Sequence, residues 1–194
     1  MKYILGVFGV IFVALLAIIL IMRVGRGDNK PAERPLVVSE EAREGVAAVL
    51  TTQGRVVGED QRRAIRISVN QTERRLEILT GYEEAVERAQ TYANTPVAFE
   101  TFLVALDQAG FDRKKKSTIQ DERGACPLGK RYIYELKEYS QDLLSLWNTS
   151  CGKKAGTFAG NQNTIRKLFE HQIPGYATQV RGVDLSGAKV AAEE

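Results

Sequence analysis

Residues 64–79 read Ala64-Ile65-Arg66-Ile67-Ser68-Val69-Asn70-Gln71-Thr72-Glu73-Arg74-Arg75-Leu76-Glu77-Ile78-Leu79. The first six alternate apolar and polar, the period-two pattern of a half-buried strand. Asn70-Gln71-Thr72-Glu73 supplies turn formers, and residues 75–79 alternate again. The stretch therefore predicts a β-hairpin. Upstream, residues 46–52 fit another strand of that sheet. They fit equally well the end of a helix begun at Ser39, whose hydroxyl would cap Glu40 and Glu41. Downstream, residues 83–92 are read as a strand, because Gly81 breaks the chain and Tyr82 and Tyr92 suit a sheet.

The next signal is helical. Thr95 is a good N-cap and Pro96 fits the first helical position. Phe99, Phe102, Leu103 and Leu106 then recur at i, i+3, i+4 and i+7, one apolar face, and Gly110 fits the stop. A second helix is expected from a cap at Asn163 through Ile165, Leu168 and Phe169, ending before Pro174. A last short strand is expected over residues 178–183. Hairpins with two amphipathic helices predict an α+β domain, an antiparallel sheet covered by two helices.

Cys126 and Cys151 are the only cysteines. Between them RYIYELKEYSQDLLSLWN contains two strand-like runs that would pair around Tyr139-Ser140-Gln141-Asp142. A hairpin brings its ends together, so a Cys126–Cys151 disulfide is expected. Closing a loop of about 25 residues would contribute roughly 3.5 kcal/mol in the chain-entropy model. Such a bond persists outside the cytoplasm and rarely within it.

Ahead of the domain, ILGVFGVIFVALLAIILIM (residues 4–22) runs without a charge. About 19 apolar residues at ~1.5 Å each span roughly 28 Å, close to a bilayer's ~30 Å hydrocarbon core. The run is too long for a cleaved signal peptide and lacks its small-residue cleavage site. The reading is a transmembrane anchor at 1–23, a flexible linker at 24–36 rich in Gly and Pro, a globular domain at 37–185 and a disordered tail at 186–194. Arg23, Arg26, Lys30 and Arg34 after the anchor favour a cytoplasmic domain by the positive-inside rule. Long domains translocate largely regardless of charge, and the cysteines favour the outside. The reading settles on an extracytoplasmic domain of a single-pass membrane protein.

The chain holds 27 Lys+Arg and 24 Asp+Glu; five and two of these precede Leu36, leaving 22 of each sign in the domain. A neutral domain argues against a nucleic-acid partner. One histidine and two cysteines make no spaced metal-ligand set. Gly124-Ala-Cys-Pro-Leu-Gly129 lacks the Gly-Lys-Ser/Thr ending of a phosphate loop, and no Gly-x-Ser-x-Gly elbow occurs. No cofactor is predicted, and no catalytic set; the sole histidine, His171, has no partner legible beside it. Two surface candidates stand out. The basic run Arg113-Lys114-Lys115-Lys116 would meet acidic groups, or simply form a solvated loop. Tyr132 and Tyr134 would share a strand face with Trp147 across the hairpin. They would form an aromatic platform for a sugar or a protein, or ordinary sheet packing.

The runs CPLGKRYIYEL (126–136), WNTSCG (147–152), GTFAGN (156–161) and LFEHQIP (168–174), with YANTPVAFETFLVALDQAGF (92–111), resemble uncharacterised single-pass membrane-anchored proteins of small-genome bacteria. No activity is assigned to that group, so the resemblance brings no functional residues. It implies a bacterial envelope setting. The expected function is a membrane-tethered, non-enzymatic protein-interaction domain, with another envelope protein as partner. A module binding cell-wall glycan and a cysteine-dependent wall enzyme are the alternatives.

Overall fold

A computed structural model describes residues 37–119, 122–152 and 155–186. The anchor, the linker and all but the first residue of the tail lie outside these. Among the described residues no helix is long and apolar enough to cross a membrane.

The domain is α+β. Six antiparallel strands run β1 Val46–Gln53, β2 Arg63–Asn70, β3 Glu73–Thr80, β4 Ala85–Ala93, β5 Arg131–Glu138 and β6 Gln141–Thr149. Their spatial order is β4-β3-β2-β1-β5-β6. The alternating stretch at 64–79 forms the β2–β3 hairpin as expected. Its turn is fixed by Asn70, whose Oδ1 accepts from the backbone N–H of Thr72 and of Glu73, both at 2.8 Å.

Residues 46–52 resolve as strand, at the centre of the sheet between β2 and β5. A central strand is buried on both faces, so it reads as a continuous apolar run rather than an alternating one. That is why the sequence left helix and strand open there. The expected helix start at Ser39 shrinks to a 3-10 turn, Val38–Glu40.

Helix α1, Pro96–Gln108, is capped by Thr95, whose hydroxyl accepts from Ala98 N at 3.2 Å. It ends at Gly110, which takes φ +76° while Phe111 N bonds Leu106 O at 3.0 Å. Helix α2, Gln162–Gln172, is capped by Asn161 rather than Asn163: Asn161 Oδ1 accepts from Thr164 N. The cap is the residue whose side chain reaches a free N–H of the first turn, and Asn163 is already inside the helix. The expected strand at 178–183 is not formed. A single helical turn, α3 Tyr176–Gln179, takes its place after Gly175 reverses the chain at φ +65°. Tyr176, Val180 and Val183, spaced as on a helix, pack partly buried against the core.

Helices and sheet enclose one core. Ala48, Leu50, Ile65, Ile67, Leu76, Ile78, Tyr134, Leu136, Leu144 and Leu146 face it from the strands. Phe102 meets Phe169 edge-on at 5.1 Å between ring centres, and Tyr134 stacks on Phe158 at 4.0 Å.

Candidate binding cleft on the second sheet face

Side chains alternate across a sheet, so each buried row toward the helices leaves a row on the other face. Pairing across the strands places Glu77, Arg66, Thr51, Ile133 and Trp147 side by side there. The next row is Arg75, Ser68, Val49, Glu135 and Ser145. Above them lies a cleft of about 520 Å³, floored by Val49, Thr51, Ile133 and Trp147 and rimmed by charged groups.

The rim charges are mostly neutralised. Glu77 lies between Arg75 at 2.9 Å and Arg66 at 3.7 Å. Glu84 holds Arg66 and accepts from Gln53 Nε2 at 2.8 Å. Its backbone sits at φ +55°, a left-handed conformation that non-glycine residues seldom adopt. The two side-chain partners hold it there. Lys137 pairs with Glu135 and Asp142, each at 2.9 Å. Burial pulls the Lys137 pKa down, but hydrogen bonds to those carboxylates outweigh it and leave it raised.

Two aromatic candidates from the sequence lie on the opposite, helix-covered face. Tyr134 is 0 % exposed, and burial raises its pKa. Tyr132 is buried beside it. Trp147 is buried too, but it pairs with Ile133 and so belongs to the cleft face. The expected shared platform is therefore corrected: the three rings are divided between two faces, and none is exposed. The cause is a β-bulge. Glu138↔Gln141 and Lys137↔Asp142 set a register in which Trp147 would oppose Tyr132. Leu136 instead pairs with Leu144, making Leu143 an extra residue and turning every later β6 side chain over.

The basic run is elsewhere again. Arg113, Lys114 and Lys116 are exposed. The backbone is pinned: Lys115 N donates to Thr157 O and Ala159 N to Arg113 O, both at 2.8 Å. Lys115 lines a separate cleft of about 730 Å³ near Asn148 and the start of α2. The run and the aromatic rings do not form one binding surface. His171 sits exposed in the last turn of α2.

Cys126 and Cys151 are bonded to each other with Cα atoms 5.7 Å apart, joining the loop before β5 to the residue after the Ser150 turn. No free thiol remains. Among the described residues, no group of three or more His, Cys, Asp or Glu side chains is placed to hold a metal.

The cleft was not legible in the sequence. Arg66 and Glu77 occupy the polar positions of alternating strands, and such positions read as solvent-facing. That the segments around Glu84 and Glu122 reach over them is a tertiary fact. The nearest signal was Trp147 itself, noted but placed on the wrong face. No family model matches this chain, and no curated protein is detectably similar to it.

Proposed function

We propose that this chain is a membrane-tethered interaction domain of the cell envelope, displayed outside the cytoplasm. It holds an extended segment of another envelope protein on the open edge of β4 and carries out no chemistry. The observation that carries this reading is the edge itself. β4 ends the sheet, and its nine residues are exposed except Tyr92, which is partly buried against the core. An unpaired edge presents a row of backbone donors and acceptors to any chain that can lie alongside.

Glu87 and Arg88, with a bulge beside them, guard the first half of β4 against indiscriminate pairing. Ala89-Gln90-Thr91-Tyr92-Ala93 is regular, uncharged and free of proline, which makes it the docking stretch. The apolar run at 4–22 supports the tether. The disulfide supports the oxidising side of the membrane.

A photo-crosslinking residue at Ala89 in intact cells tests this. The expected result is a discrete adduct to another envelope protein, absent with the crosslinker at exposed Thr178 and lost in Thr91→Lys. Equal capture from both positions, or an adduct indifferent to Thr91→Lys, would overturn it.

A further inference from the structure

At one end of the second face, two arginines lie almost wholly out of water: Arg62 and Arg131 are each 3 % exposed. Arg131 pairs with Gln53, which pairs in turn with Ala64, so the extended Arg62, two residues before Ala64 and just ahead of β2, continues the same face. Among the described residues neither guanidinium forms an ion pair. Their hydrogen bonds go to main-chain carbonyls, Arg62 Nη1 to Gly81 O at 3.0 Å and Arg131 Nη1 to Glu122 O at 3.4 Å. Among the described residues Arg62 Nε and Arg131 Nε are buried without a hydrogen-bond partner, as is Trp147 Nε1 in the adjoining cleft.

Such an arrangement is expensive. A buried cation needs a compensating charge, and these two also repel each other. Burial, and then the charge of Arg62, hold the Arg131 pKa below its ordinary value. Glu122 and Glu84 pull against this on Arg131 without pairing with it, and the carboxylate of Glu84 is committed to Arg66 and Gln53. Tyr82 stacks over Arg62 at 4.7 Å and is half exposed, placing the pair close to solvent. Guanidinium forks match the geometry of carboxylate and phosphate oxygens.

We infer that Arg62 and Arg131 form a receptor for a small oxyanion group, a carboxylate or a phosphate, entering beside Tyr82 at the Gln53–Glu84 end of the cleft. The site is independent of the β4 edge. It also contains its own reporter, since Trp147 is the only tryptophan in the chain and lies on the same face.

The test uses the full chain in mild detergent, titrated with sodium phosphate or sodium acetate against sodium chloride at matched ionic strength. The expected result is a saturable change in Trp147 emission and a melting temperature that climbs with the logarithm of anion concentration. Arg131→Met should abolish both responses and, in chloride, melt no lower than the parent, because it removes a buried charge that no ion pair holds and Arg62 repels. A response to phosphate alone assigns a phosphate group, and a response to both anions assigns a group that acetate mimics. Absence of a saturable response in the parent to either anion would overturn the inference, whether or not the variants fold. A response that survives in Arg131→Met would do the same.

Discussion

The two outer hairpins of the sheet start from the same plan and end differently. Each joins an inner strand to an edge strand, and each carries one bulge, at Glu87 in β3–β4 and at Leu143 in β5–β6. The second is fastened on every side. Its β6 residues Leu144 and Leu146 are core, Trp147 O accepts from Phe158 N at 3.0 Å, and the Cys126–Cys151 bond closes its open end. The first has β4 standing clear of the core except at Tyr92, tied mainly by backbone pairing, the Arg63–Glu87 ion pair and links from Gln179 to Arg88 and Tyr92. The difference teaches that a bulge has no fixed meaning. In β5–β6 it decides which side chains are core; in β3–β4 it shapes an edge.

Emptying the core face of one hairpin breaks that comparison most sharply. Replacing Leu144 and Leu146 together by Ser takes away the two β6 side chains that the bulge turns to the core. Each is worth about 1.5–3 kcal/mol of burial, so a loss of about 3–6 kcal/mol is expected in chemical denaturation. A Leu144→Ser/Leu146→Ser double variant that melts near the parent would show that β6 is no more a core strand than β4.

The disulfide comes next. Cys126→Ser, Cys151→Ser and the double variant should each lose roughly 3.5 kcal/mol, with the double no worse than either single. On intact cells, a membrane-impermeant thiol reagent should label the parent only after reduction. Labelling that waits for lysis would place the domain in the cytoplasm and remove the proposed function.

Deleting Glu87 should be felt far less. It takes away one exposed ion pair, worth about 0–1 kcal/mol, and, because Glu87 is the extra residue, leaves the rest of β4 in register with β3. Thr91→Lys should change stability least, by under about 0.5 kcal/mol, while abolishing capture at Ala89. If either variant destabilises as strongly as the Leu144→Ser/Leu146→Ser double variant, β4 is a structural strand and not a docking edge.

Much of the frame was legible from local rules. Thr95-Pro96, the Phe99-Phe102-Leu103-Leu106 stripe and Gly110 specify α1 completely, because cap, face and stop agree. The Asn70 turn and its flanking alternation specify β2–β3. What escaped was decided by distant contacts. Residues 46–52 became strand because β2 and β5 flank them. Residues 178–183 became a turn because Tyr176, Val180 and Val183 had a core to meet. At the candidate site the failure was one of register. A single extra residue, Leu143, sent Trp147 away from Tyr132, and no local pattern announces a bulge. Arg62 and Arg131 escaped for a related reason, since an arginine beside a strand reads as solvated until the loops above it are known.

The position of β1 bears on how the domain comes into being. It lies at the middle of the sheet but is first in the chain, and its partner Glu138 is far from Val46 in sequence. During synthesis at ~5–20 residues per second, the meander β1 to β4 can assemble while one side of β1 waits several seconds for β5. Through that interval the nascent domain has bare edges at β4 and at β1, the second of which β5 covers in the finished sheet. Closing the sheet then means docking a hairpin whose own two cysteines bracket it, so oxidation can complete that piece before it arrives.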